Sequence, residues 1–186
     1  MCGRYYVDDD TTREIRKILE NMDEKFLNNG RKTGEIFPTN IAPILVAHNE
    51  KVEPIPSIWG YPNYYNKGVM INARAETALE KKTFRESVLS RRCVIPATGF
   101  YEWDQSKTKH FFTNTDSNVL YMAGIFNYYQ DECRFVILTT SANESMNEIH
   151  HRMPVVLQDQ EVDEWIMNNN SVGRILNQIP PLLKYA

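Results

Sequence analysis

The chain has 186 residues, 42% of them apolar and 24% charged, with a formal net charge of −3. This composition fits one folded domain spanning residues 1–186 and excludes collagen-like, disordered and coiled-coil chains. No apolar run reaches the roughly eighteen residues of a membrane span, and MCGRYYVDDD lacks the basic-then-apolar layout of a secretory leader, so a cytoplasmic address without a membrane partner is expected.

The first predicted element is a helix. Thr11-x-x-Glu14 forms a capping box ahead of Ile15, Ile18, Leu19, Met22 and Phe26, apolar at helical spacing, and Asn29-Gly30 supplies a left-handed stop. Short β-rich runs follow at Ile44–His48 and Val69–Ile71, then a helix over Thr83–Ser90. Strands are predicted again at Cys93–Ile95, Phe100–Trp103, His110–Thr113, Leu120–Phe126 and Phe135–Thr140. A helix at Glu144–Ile149, a strand at Val155–Leu157 and a helix over Gln160–Met167, with Asp159 as its N-cap, complete the chain. Many short strands separated by Gly, Pro and Asn turns, with few helices among them, predict an α+β fold. Its strands are mostly antiparallel and curl into a barrel-like sheet with flanking helices. The absence of a GxGxxG or Walker loop removes the nucleotide-binding α/β folds.

Cys2, Cys93 and Cys133 form neither an even framework nor a CxxC pair, which fits a reducing compartment and no structural zinc. A net negative charge alone argues against a nucleic-acid partner, because phosphate neutralisation supplies most nonspecific affinity. The charge is unevenly spread, however. Between Lys67 and Arg92 seven basic residues face three acidic ones, a local excess of four that leaves the remainder of the chain at −7. That segment reads either as a solvated helix face or as the wall of a basic groove.

Four patches carry candidate chemistry. Methionine before a small residue is normally trimmed, so the mature chain can begin at Cys2, with an amine and a thiol on adjacent carbons. Reference pKa values of about 7.7–8.0 and about 8.5 leave usable fractions of free amine and thiolate near neutrality. Such an amine attacks aldehydes to give an imine, and the thiol then closes a five-membered thiazolidine. In the stretch 91–103, RRCVIPATGFYEW, a strand, a Gly turn and a second strand lead to Glu102 beside Trp103; the acid is either a proton carrier in a partly apolar cleft or a solvated strand end. His150-His151-Arg152 offers an imidazole for acid–base work and a cation for an anion, while a metal reading lacks a third convergent ligand. Asn72 and Arg74, in INARAET at 71–77, offer an orienting amide and a cation, or merely a polar strand end.

Together these patches resemble the SOS response-associated peptidase family of abasic-site processing proteins. The matching pieces are MCGRY, Trp59-Gly60, INARAET, RRCVIPATGFYEW, ILTTSAN at 137–143 and IHHRMPVVL at 149–157, in order along almost the whole chain. The resemblance implies a protein acting on abasic sites in single-stranded DNA, where the opened sugar exposes an aldehyde. It implies a covalent thiazolidine crosslink through Cys2 after removal of Met1, autocatalytic removal of that methionine as the peptidase activity, and a lyase-type side reaction. By motif position Cys2 is the nucleophile, Glu102 handles protons around the amine, His150 assists sugar-ring opening and Asn72 holds the reacting groups. Arg4, Arg74, Arg85 and Arg152 match phosphate-contacting arginines, and Trp103 an aromatic that supports the bent strand. No metal, no cofactor and a monomer are expected. The alternatives are a cysteine-dependent peptidase or N-terminal nucleophile hydrolase, and a noncatalytic single-strand binder in which Cys2 is incidental.

Overall fold

A computed structural model describes residues 2–8, 34–63 and 67–186. The helix expected over residues 11–26, with its Asn29-Gly30 stop, lies outside the described residues. In chain order the strands are β1 (Arg4–Val7), β2 (Gly34–Ile36), β3 (Ile41–His48), β4 (Lys51–Trp59), β5 (Tyr61–Pro62), β6 (Val69–Met70) and β7 (Asn72–Arg74). Helices α1 (Ala75–Ala78) and α2 (Lys82–Ser90) lead into β8 (Arg92–Ala97), β9 (Gly99–Trp103), β10 (Lys109–Asn114), β11 (Leu120–Tyr129) and β12 (Glu132–Ser141). After β13 (Arg152–Pro154) and β14 (Val156–Leu157) come α3 (Glu161–Met167), α4 (Val172–Asn177) and β15 (Leu183–Tyr185).

Strands β12, β4, β3, β8 and β11 pair in a ring that closes when β11 returns to β12, and a second sheet runs β15-β10-β9-β1-β2. All these pairings are antiparallel except β12 with β4; β7 also lies parallel to β12. The expected α+β architecture, strands curled into a barrel with helices at its flank, is thus the one observed. The period-two alternation of strands divides the core into two layers. Ile44, Val46, Cys93, Ile95, Met122, Phe135 and Ile137 pack inside the barrel with Tyr5, Ile36, Phe100 and Phe112 from the second sheet. Their neighbours Leu45, Val94, Ala123, Ile125, Val136 and Leu138 face outward under Phe84, Val88, Trp165, Ile166, Ile175 and Leu176 of the helices.

The chain crosses from barrel to second sheet at Gly99. A Cβ there would lie 2.3 Å from the Phe112 carbonyl oxygen and 2.7 Å from the Phe111 ring, so only glycine lets β9 approach β10 this closely. β4 was not expected, because Pro54 and Pro56 speak against a strand. Among the described residues β12 meets β4 only at Ile58 and Trp59, so Pro54 and Pro56 are paired with β3 alone and need no donor on the other side. The expected helix at 144–149 is instead a series of turns, closed by Met146 N–H to the Asn143 carbonyl and His150 N–H to the Met146 carbonyl. Helix α3 starts after Gln160 without a side-chain cap, so Asp159 does not act as one. Among the described residues, no helix is long and apolar enough to cross a membrane.

Arg92 departs from its sequence reading as part of a basic surface. It is 5% exposed and its guanidinium donates to the carbonyls of Val88 and Leu89 at the end of α2, of Trp165 and Ile166 at the end of α3, and to Asn169 Oδ1. A cation thus satisfies the orphan carbonyls of two helix C-termini, where the backbone dipoles favour positive charge. Arg92→Ala would leave those carbonyls buried and unpaired. Its expected cost is about 3 kcal/mol, given about 1–3 kcal/mol per unsatisfied buried group, or a fall in Tm of roughly 6–12 °C for a chain of this length. Thermal denaturation followed by circular dichroism checks it; a shift under about 2 °C would mean that water replaces the guanidinium there.

Candidate functional site

Cys2 lies at the lead-in to β1 and is 1% exposed, packed into the inner core layer. The β1–β9 register sets Arg4 opposite Tyr101, so the residues before Arg4 run alongside the end of β9, where Glu102 and Trp103 stand. Alternation along β9 turns Phe100 and Glu102 inward and Tyr101 and Trp103 outward. Glu102 is 4% exposed, and its carboxylate oxygen accepts the Trp103 N–H at 3.3 Å.

Asn72 reaches the same place from β7. Its Nδ2 donates to the Cys2 carbonyl at 3.1 Å, across 70 positions of sequence, while its buried Oδ1 has no hydrogen-bond partner among the described residues. β7 is positioned by its parallel pairing with β12, which sets Asn72 beside Ile137. It is also fixed by Trp59, whose indole N–H donates to the Ile71 carbonyl at 3.0 Å and whose ring packs on Phe135 and Tyr5. The Trp of the Trp59-Gly60 pair is therefore a buried brace under both β1 and β7.

The electrostatics of Cys2 reverse one expectation. Burial first, and the negative charge of Glu102 second, push its thiol well above the ordinary range, so at neutral pH the sulfur is a neutral thiol rather than a partial thiolate. The thiol donates to the Arg4 carbonyl at 3.9 Å.

His150 sits in the turn before β13, between Ile149 and Met153, which belong to the same packing layer as Cys2. The Arg152 N–H is 3.0 Å from His150 Nδ1. The Arg152 carbonyl oxygen also lies 3.0 Å from that nitrogen, so Nδ1 faces both backbone polar groups of Arg152. The His151 ring stacks on it at 4.5 Å. Arg152 itself is turned inward. It is 8% exposed, its two terminal nitrogens grip Glu76 at 2.6 and 2.9 Å, and one also donates to the Thr139 carbonyl at 2.6 Å.

The remaining cations are dispersed. Arg74 is exposed and follows Asn72 by two residues in β7, so both project from one face of that strand while Ala73 points into the outer layer. The Arg4 guanidinium lies between the Phe37 and Trp103 rings, 4.3 and 5.1 Å from their centroids, and donates to Glu35 at 2.9 Å. Arg85 is exposed on α2, whose buried residues Phe84 and Val88 pack in the outer, helical layer rather than in the layer of Cys2. The structure therefore brings together Cys2, Asn72 and Glu102, seats His150 beside their packing layer, and leaves Arg85 with the helices. Glu76 and Thr139 as partners of Arg152, and Glu35 and Phe37 as partners of Arg4, were not expected from the sequence. Glu76 and Thr139 do lie inside INARAET and ILTTSAN, yet nothing local to those motifs links them to Arg152, which is 76 positions from Glu76 and 13 from Thr139. Among the described residues no group of three or more His, Cys, Asp or Glu could hold a metal ion.

Comparison with known proteins gives a consistent picture. The family model of the SOS response associated peptidase matches residues 1–183. The chain is 40% identical over 192 aligned positions to the abasic site processing protein YoqW of Bacillus subtilis, covering 92% of this chain and 82% of that one. It is 27% identical to the abasic site processing protein YedK of Escherichia coli, over 89% of this chain and 79% of that one. A crystal structure of a protein from Bacteroides thetaiotaomicron superposes with a TM-score of 0.80 at 22% identity, covering 99% of this chain and 90% of that one, and so shares the fold.

Proposed function

We propose, from the premise that the chain belongs to the SOS response associated peptidase family, that it processes abasic sites in single-stranded DNA by a thiazolidine crosslink through Cys2 once Met1 has been removed. The observation that carries this reading is the meeting of Cys2, Asn72 and Glu102 from three distant segments. A buried acid beside an aminothiol, with an amide fixing the backbone between them, suits carbonyl chemistry at the chain end. Removal of Met1 by the protein itself would expose the amine.

The chemistry then runs in order. His150 gives a proton as the sugar ring opens, and the Cys2 amine, its proton taken by Glu102, then attacks the C1′ aldehyde carbon. The carbinolamine loses one water to form the imine. The thiol adds its sulfur to C1′ while its proton passes to the imine nitrogen or to Glu102, closing the five-membered ring. A thiol held neutral supports this order, with the amine attacking first and the sulfur second. It argues equally against a peptidase whose thiolate opens the reaction. Ring closure removes the imine from which β-elimination would cut the strand, so lyase-type cleavage is a side branch. No metal or organic cofactor enters any step, because the electrophile belongs to the DNA.

For the DNA strand, Arg4 and Trp103 offer a cation and a ring on the outer face of the second sheet, and Arg74 a cation beside Asn72. Arg152, whose terminal nitrogens are engaged with Glu76 and Thr139, is assigned to holding the His150 turn. Arg74→Ala should weaken binding to single-stranded DNA and shallow the dependence of log K on log salt by about 0.7, one phosphate contact. An unchanged slope in a fluorescence-anisotropy titration removes Arg74 from the phosphate path.

Intact mass spectrometry tests the function as a whole. Purified protein should lack Met1, and after mixing with a single-stranded abasic oligonucleotide it should gain the mass of that oligonucleotide less one water, with the strand uncut. Retained Met1, or abasic and intact oligonucleotides that bind alike without a denaturation-resistant product, would overturn it in favour of a noncatalytic single-strand binder.

A further inference from the structure

The outer face of the second sheet carries another cation besides Arg4. Arg4 stands opposite Tyr101 and Lys109 opposite Trp103, so all four side chains share the face from which Tyr101 and Trp103 project. Glu35 of β2 joins them. It is paired with Tyr6, which follows Arg4 by two residues and so lies on the same face. The Glu35 carboxylate is divided between the two cations: Oε2 accepts from Arg4 Nη1 at 2.9 Å, and Oε1 accepts from Lys109 Nζ. Rings flank both. Arg4 lies against Phe37 and Trp103, and Lys109 Nζ stands 3.8 Å from the centroid of the Tyr101 ring.

We propose that Arg4 and Lys109 form a two-pronged clamp for one phosphate group of a single strand, and that Glu35 is the internal counter-ion which this phosphate displaces. The inference rests on the reading of single-stranded DNA as the ligand, and it adds Lys109 and Glu35 to the residues that decide how tightly the strand is held.

A carboxylate whose two oxygens meet two cations from different strands marks a place shaped for an anion with more than one acceptor oxygen. A phosphodiester is such an anion. The charges leave room for it: Arg4 and Lys109 carry two positive charges against the single negative charge of Glu35. That count holds at neutral pH, because the hydrogen bond from Lys109 above all keeps the Glu35 carboxyl below the usual range. Arg152 is the contrast. Its two terminal nitrogens grip both oxygens of Glu76, and its side chain is 9% exposed, so no ligand can take that carboxylate's place without opening the core. Arg4 gives Glu35 one bond, and the side chains of Arg4, Glu35 and Lys109 are 28, 30 and 37% exposed, within reach of water and of a strand. Ion pairs this open to solvent add little to stability, so one anion can replace another at small cost. Phe37, exposed, and Trp103, half-buried, stand on either side of the Arg4 fork, where bases next to a clamped phosphate would find rings to stack on.

The test is a fluorescence-anisotropy titration of the full chain with an intact single-stranded oligonucleotide at several salt concentrations, which keeps the covalent step out of the measurement. Glu35→Gln, nearly isosteric, removes the counter-ion. It should bind about threefold tighter, the scale of an exposed ion pair, and its plot of log K against log salt should steepen by about 0.7. Lys109→Met keeps the stem over the Tyr101 ring and removes the charge; it should bind about threefold more weakly with a slope shallower by about 0.7. Together the two substitutions should return the slope to that of the unsubstituted chain. Glu164→Gln is the control for net charge, since it removes the same charge from the Arg174 pair between α3 and α4, and it should leave affinity and slope unaltered. The proposal is overturned if Glu35→Gln binds no tighter, if Glu164→Gln gains as much, or if Lys109→Met leaves the slope unchanged. Failure of the unsubstituted chain to bind single strands at all would instead sink the DNA reading. Calorimetric titration with tripolyphosphate then decides the clamp by itself: Glu35→Gln should bind this probe more tightly than the unsubstituted chain, and Lys109→Met should cancel the gain. Equal affinity in all three proteins would leave Arg4, Glu35 and Lys109 as a structural ion cluster and overturn the clamp.

Discussion

Cys2→Ser is expected to abolish the product that survives denaturing electrophoresis while leaving a product that borohydride can trap. Serine keeps the chain-end amine, so the carbinolamine and imine still form. Its hydroxyl is a weaker nucleophile, and the five-membered ring it would close with oxygen in place of sulfur reopens readily in water. The stable adduct should therefore fall to background, a loss of at least about a hundredfold, whereas reduction of the imine with borohydride should still join protein to DNA. Lingering imine also opens the path to β-elimination, so strand cleavage should rise in the variant. Cys2→Ala should behave in the same way, because the amine alone carries the first step. Equal yields of stable adduct from the unsubstituted chain and from Cys2→Ser, or a serine variant with neither stable nor trappable product, would separate the sulfur from the chemistry claimed for it. The buried, neutral state of the Cys2 thiol sharpens the contrast: a sulfur held as thiol is poorly suited to open the attack and well placed to finish it.

The sequence made Cys2, Asn72 and Glu102 individually visible because each stands in a short motif with unusual chemistry. Their convergence is a property of register. Asn72 reaches the Cys2 carbonyl only because β7 runs parallel to β12, and Glu102 turns inward only because the β9 alternation begins at Gly99, where a side chain cannot fit. Charge was the least legible feature. Arg92 and Arg152 look from the sequence like members of a basic surface, yet one caps two helices and the other closes on Glu76. The bonds of Arg92 to Trp165 and of Arg152 to Glu76 span distant segments, and no local pattern distinguishes a buried arginine from a phosphate-binding one. The barrel was legible from the many short β-rich runs bounded by turn residues, among them those that form β8, β11 and β12. β4 was not, because its two prolines occupy an edge that only the closed topology reveals. The turns at 144–149 carry helix-forming residues but end within one hydrogen-bonded loop that delivers His150 to the start of β13.

Glu102→Gln separates two accounts of the acid that the geometry alone leaves side by side. The Glu102 charge is the second cause, after burial, holding the Cys2 thiol neutral, so removing that charge makes the sulfur somewhat more acidic. Were thiolate formation the limiting event, the glutamine variant would react faster. Were proton acceptance from the amine limiting, the variant would lose its base and slow by roughly 10²–10⁴, the usual worth of positioned general acid–base catalysis. The second outcome is expected. The amide is nearly isosteric and can still accept the Trp103 N–H now bound at 3.3 Å, so the fold and the noncovalent affinity for single-stranded DNA should change little. Single-turnover adduct formation measured across pH 5–9, beside anisotropy binding to an intact oligonucleotide, reads both quantities. A faster variant would reassign Glu102 to restraining the thiol, and a parallel fall in affinity and rate would make it a structural residue of the β9 end. Only a fall in rate at constant affinity leaves it as the base through which the chain-end amine is made nucleophilic.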